Sequence, residues 1–126
     1  MSVPQVFEYS LLQLVPDAAR QERLNVGVML YCKRLNYLGM LWHWPQEKIA
    51  VLFPKLDQAA AHSYLQAFAT ICAGNSGTAL ARLDAGSRFR WLTAPRNTML
   101  QSSALHTGLC EEPATLLNEL FRQLVL

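Results

Sequence analysis

Residues 24 to 32, LNVGVMLYC, carry no charge and are apolar at both alternating sets of positions. Val26, Val28 and Leu30 form one set, and Gly27, Met29 and Tyr31 the other. A strand of this kind has no face to offer to water, so it belongs in the centre of a sheet. Gly27 weakens a strand unless the backbone needs it, which predicts a bulge or a close neighbour at that point.

The flanking segments predict its sheet partners. VFEYSLLQLV (6–15) alternates Phe7, Tyr9 and Leu11 with Glu8, Ser10 and Leu12, the period of a strand, and Pro16-Asp17 closes it. The polar run PDAARQER that follows reads as a solvated loop. A third strand, YLGMLWHW (37–44), carries Trp42 and Trp44 on one face, and strands one to three form an antiparallel meander. A short helical turn starts near Pro45, with Ile49, Leu52 and Phe53 at helical spacing.

Asp57 is a natural N-cap for a main helix whose apolar stripe is Tyr64, Leu65, Phe68, Ile71 and Cys72, with AGNSG as its stop. RFRWL (88–92) alternates Arg88 and Arg90 with Phe89 and Trp91 and reads as an edge strand. MLQSSALH adds a further extended piece. A C-terminal helix begins at Glu111-Glu112-Pro113 and repeats Leu116, Leu117, Leu120, Phe121, Leu124 and Val125 on one face. The expected fold is α+β in a single domain spanning residues 1–126. A three- to four-stranded, mainly antiparallel sheet packs against the main helix and the C-terminal helix.

The charge content narrows the function. Hydrophobic residues are 52% of the chain and charged residues only 16%, against about 25% in ordinary soluble domains. A surface so short of charge predicts apolar area hidden at an interface, in a homo-oligomer or with a protein partner. The net charge is +2 and no basic run exceeds two residues, so the footprint of a nucleic-acid binder is missing. Cys32, Cys72 and Cys110 are odd in number and set among apolar neighbours, as expected of reduced thiols in a cytoplasmic protein. The N-terminus lacks the pattern of a signal peptide, and no stretch has the length and apolarity of a membrane span.

Catalytic hardware is absent from the pattern, which has no Gly-rich phosphate loop, HExxH, GxSxG or CxxC. No catalytic residue, metal ligand set or cofactor is expected. His43 reads as a strand residue, His62 as a helix residue and His106 as a hydrogen-bonded loop residue. Cys110 lies four residues from His106, but beside Leu109 it reads as a buried filler rather than a thiolate nucleophile. Glu111-Glu112 suits a helix start better than an acid/base pair.

The positive candidates for reading a ligand or partner are Arg20, Asn25, Arg90, Trp91, Arg96, Gln101 and His106. Guanidinium forks engage carboxylates and phosphates bidentately, and aromatic rings supply stacking faces. The counter-reading pairs the arginines internally with Asp17, Glu22 and main-chain carbonyls, and makes Asn25 a tie that holds the loop before its strand. Several of these candidates fall in LTAPRNTMLQSSALHTGLCEEP (92–113), a polar segment in an apolar chain. It reads as a structured connection with a binding role.

Two stretches, ExxNVGV at 22–28 and HTGLC at 106–110, together with YSLLQLVPD and RFRWLTAPRNTMLQ, resemble a bacterial family of small proteins, domain-of-unknown-function family 3037. The resemblance runs from about Phe7 to Val125. It implies association with a HipA-like kinase and brings no catalytic residues with it. The expected function is a non-enzymatic protein-interaction or regulatory module. The alternative is a small enzyme or binding protein for a phosphate- or carboxylate-bearing ligand, using His106 with Arg90 and Arg96. A third reading, single-strand nucleic-acid binding by Trp and Arg stacking, requires a basic groove with exposed aromatics.

Overall fold

The computed structural model describes residues 3–74 and 77–126. Five strands, β1 (Gln5–Leu14), β2 (Leu24–Cys32), β3 (Tyr37–Trp42), β4 (Leu100–Ser102) and β5 (His106–Cys110), form one antiparallel sheet. The order is β3-β2-β1-β4, and β5 also pairs with β1. β1 is long enough to hold two partners end to end on its outer side: β4 lies against Leu12–Leu14 and β5 against Gln5–Tyr9.

The helices are α1 (Gln46–Leu52), α2 (Gln58–Ala73), α3 (Ala85–Thr93) and α4 (Pro113–Leu124). One core joins Leu12, Leu14, Met29 and Tyr31 to Ile49 of α1, Leu65 and Phe68 of α2, and Phe89 and Leu92 of α3. A second core, on the opposite face, joins Phe7, Val28, Leu30 and Cys32 to Leu117, with Leu116, Leu120 and Phe121 packed around it. β2 is therefore covered on both sides, as its uncharged sequence requires, and seven of its nine residues are buried.

At Gly27 both sequence expectations are met. Leu12 pairs with Gly27 but Gln13 pairs with Asn25, so Val26 is an extra residue in β2 and the ladder is bulged there. A Cβ on Gly27 would stand 3.2 Å from the Leu41 carbonyl oxygen and 3.3 Å from the Leu12 Cβ. The bulge corrects one expectation: Val26 joins the core on the α2 and α3 side, whereas Val28 and Leu30 face α4.

The main helix follows its pattern at both ends. The Asp57 carboxylate accepts from the Ala60 N–H at 3.1 Å, and Gly74 ends α2 in the left-handed conformation at φ 74°. Asn75 and Ser76 of the expected stop lie outside the described residues. Its buried stripe is Ala61, Leu65, Phe68, Ile71 and Cys72; Tyr64 is 46% exposed and is not part of it.

The largest correction is RFRWL, which is helical. The Asp84 carboxylate accepts from the Ser87 N–H at 3.2 Å and caps α3, and the two buried residues of this helix, Phe89 and Leu92, sit three apart. Five residues of alternation cannot outweigh a cap and a helical burial period. The strand 37–44 also ends earlier, at Trp42, yet Trp42 and Trp44 do share a face. Both meet the His62 ring edge-on, at 5.7 and 5.4 Å.

Leu12 and Val6 lie on the same face of β1, but only Leu12 is covered by helices; Val6 is 60% exposed. Leu12→Ala is expected to cost about 2–5 kcal/mol of unfolding free energy in urea titrations, and Val6→Ala less than about 0.5 kcal/mol.

Candidate functional site

β4 and β5 are separated by Ser103, Ala104 and Leu105, where the edge of the sheet would lose its ladder. Ser103 repairs it. Its N–H donates to the Leu11 carbonyl at 2.8 Å, and its Oγ accepts from the Leu11 N–H at 2.8 Å, standing in for the missing backbone acceptor. Ser10, fully buried, donates to the Ser103 carbonyl at 2.8 Å and meets the Ser102 hydroxyl as well. Much of the polarity of the 92–113 segment is thus spent on tying the sheet edge.

Beyond that tie, the outer sides of β4 and β5 have no strand partner among the described residues. Glu8 is the one formally charged side chain in all five strands. It is held by Arg90, whose two Nη groups donate to Glu8 Oε2 and Oε1 at 2.8 and 2.7 Å. That bidentate bond holds the Glu8 carboxyl below the usual carboxylate range, against the opposing effect of its partial burial. On β5 itself, Leu109 pairs with Val6, and both stand in solvent, at 68% and 60% exposure.

Surface recesses gather at one end of the sheet. One, about 680 Å³, is floored by Leu52, Phe53, Leu56 and Met99 and rimmed by Asp17, Glu22, Asp57, Arg20 and Lys55. Its charges oppose one another, and Arg20 is already paired with Glu22. A second, about 470 Å³, wraps the sheet edge at the β4–β5 link and contains Arg23, Arg96, Gln13, Gln101 and Ser103 with no carboxylate in its lining. Arg96 is clamped there: its guanidinium lies 4.5 Å from the Trp91 ring and 4.8 Å from the Phe68 ring. It also donates to the carbonyls of Trp91 and Leu92 at the end of α3. Burial pulls its pKa below the ordinary arginine value.

The sheet separates the sequence candidates. Arg20 lines the first recess, Arg96 and Gln101 the second, and Trp91 supplies the stacking face for Arg96. Arg90 with Glu8 lies on the α2 and α3 side. His106 lies on the opposite side, stacked on Tyr9 at 4.9 Å between ring centroids. His106, Arg90 and Arg96 therefore do not converge on one pocket. His106 is also a strand residue rather than a loop residue. Asn25 is a tie, but to a different element than the loop expected: it donates to the Leu124 carbonyl of α4 at 3.0 Å and accepts from Gln13 at 3.0 Å.

Burial raises the Cys110 thiol above its ordinary pKa, and that of Cys72 to about 11, so neither is poised as a thiolate. No group of three His, Cys, Asp or Glu side chains is placed to hold a metal among the described residues. Sequence reasoning assigned no role to Gln13, Arg23, Ser10 or Val6, held Ser103 only as part of the polar segment 92–113, and named Leu109 only as the apolar neighbour of Cys110. A serine amid the apolar residues of β1 was the one available signal for the first tie.

Ser103→Ala leaves the half-buried Leu11 N–H without its acceptor and is expected to cost about 1–3 kcal/mol in denaturant unfolding, with faster amide exchange at Leu11. The Glu8–Arg90 pair contributes only where Glu8 is ionised. Because the folded pKa is depressed, its stabilisation is fully present above the unfolded value of about 4.3 and is lost as pH falls through the folded value. With Arg90 55% exposed, solvent limits the contribution to about 1 kcal/mol. Glu8→Gln is expected to lower the thermal midpoint at pH 7 and to narrow the gap from wild type at pH 3.

No curated protein and no solved structure matches the chain. The family described as "Protein of unknown function (DUF3037)" matches residues 9–125, nearly the whole sequence. The chain belongs to the DUF3037 family.

Proposed function

We infer that this chain is a non-enzymatic, cytoplasmic interaction module that assembles with other protein through the free edge of its sheet. The observation that carries the reading is β5. An edge strand normally guards its unpaired backbone groups with charge, proline or cover. HTGLC has neither a formal charge nor a proline, and the cross-strand pair Val6–Leu109 beside it stands in solvent. Helices α2, α3 and α4 pack along β3 at the opposite edge, whereas β5 rests chiefly on β1. Main-chain pairing along such an edge gives affinity, and the alternate side chains give specificity.

The low charge of the chain agrees with this reading, as does the separation of His106 from Arg90, which leaves the ligand-enzyme alternative without an assembled site. The family resemblance points to a HipA-like kinase as a partner, which gives the module a regulatory role. No helix among the described residues is long and apolar enough to cross a membrane.

Leu109→Lys places a charge on the free edge while leaving both cores intact. It is expected to weaken capture of protein partners in a pull-down, and any self-association, by at least about tenfold, a change worth about 1.4 kcal/mol. Capture and self-association unchanged by Leu109→Lys would sink the reading.

A further inference from the structure

The ends of β5 differ in charge. At its start, Ala104 and Leu105 line the recess that holds Arg23 and Arg96 and no carboxylate. At its finish stand Glu111 and Glu112, both exposed, and neither forms an ion pair among the described residues. The two arginines likewise have no carboxylate partner there. Arg23 donates one N–H to Gln13 Oε1 at 3.3 Å, and Arg96 two to main-chain carbonyls, so each keeps free donors toward an anion. Arg96 is already fixed by its two aromatic neighbours and loses little freedom on engaging one.

We propose that the occupant of the free edge is a second copy of this chain, paired antiparallel through β5 so that Glu111 and Glu112 of each copy enter the Arg23–Arg96 recess of the other. The proposal rests on the edge-docking reading above and names its partner. Pairing centred on Gly108, the middle residue of β5, sets His106 opposite Cys110 and Thr107 opposite Leu109 of the second copy. Continued one step outward at each end, the same register sets Leu105 opposite Glu111, and a further step sets Ala104 opposite Glu112. Antiparallel pairing by a two-fold axis repeats this match at both ends.

Side-chain geometry suits the register. Opposed residues in an antiparallel pair lie on one face, so Leu109 and Val6 of each copy fall on the same side of a continuous sheet. The two Gly108 residues meet at the axis, where the Phe7 ring already fills the space a Cβ would take, at 2.8 Å. Acid enters a recess whose guanidinium is partly desolvated, which strengthens a charge-assisted bond.

The test is a charge swap read by light scattering. The wild-type chain is expected at about 28 kDa, twice 14.2 kDa. Arg23→Glu sets a carboxylate beside Arg96 in each recess, so the incoming glutamates meet no net positive charge, and Glu111→Lys/Glu112→Lys puts base against base. Each variant alone is expected near 14.2 kDa. Mixed one to one they are expected to return to the dimer mass, because one clamp of the mixed pair is the wild-type one and the other sets the new lysines against the new carboxylate at position 23. All these side chains are exposed or at the recess mouth, and circular dichroism checks that each variant keeps its fold.

A monomeric wild type overturns the proposal, as does a dimer that both variants leave intact or a mixture that stays monomeric. A monomer that still captures another protein, and loses it on Leu109→Lys, overturns the second copy as occupant while the edge-docking reading survives. A monomer that captures nothing ends both.

Discussion

The bulge at Val26, opposite the Leu12–Gln13 step, is the constraint on which the rest of the structure depends. It moves Val26 across the sheet to sit with Leu12 and Leu14 under α2 and α3, while Val28 and Leu30 keep their places under α4. A ladder without the bulge would alternate strictly and set Val26 on the same face as Val28 and Leu30, away from Leu12 and Leu14. The same bulge brings Gln13 opposite Asn25, and from there a chain of hydrogen bonds runs between Arg23 and the last turn of α4. One inserted residue thus positions both cores, fastens the C-terminal helix and shapes one wall of the basic recess.

The second organising feature is the division of β1's outer side between β4 and β5. A continuous partner strand would have satisfied every backbone group by ladder alone. The break requires Ser10 and Ser103, and it leaves β5 as a short, uncharged edge with little support beyond β1. Polar residues that read as a ligand-binding loop in a linear sequence are therefore largely internal fastenings. The groups left over for recognition are the ones with unspent donors or uncovered carbon: Arg23, Arg96, Val6 and Leu109.

Local pattern was most legible where one physical demand dominated. An uncharged two-sided strand has a single solution, so the central place of β2 and the need for Gly27 could both be read directly. Asp57 and Gly74 marked the ends of α2 because cap chemistry is local. RFRWL shows the opposite case. Its alternation is too short to identify a strand, and the decisive cap, Asp84, lay upstream in a stretch without a clear pattern. His106 was placed in a loop because the residues around it are polar, and its strand identity comes from Tyr9, far away in sequence.

What the sequence determined by itself was the set of elements that satisfy their own requirements: the meander β1 to β3, the two main helices, and a shortage of charge that calls for burial or partnership. Only the tertiary structure decided which side each candidate faces. His106 and Arg90 lie close in the linear segment after α2, yet a sheet stands between them, since neighbouring residues of β1, Glu8 and Tyr9, hold them on opposite faces. Arg23 and Arg96 are far apart in the chain and share one recess. Faces and recesses are set by long-range strand pairing, and pairing depends on contacts between segments that no local pattern of residues encodes.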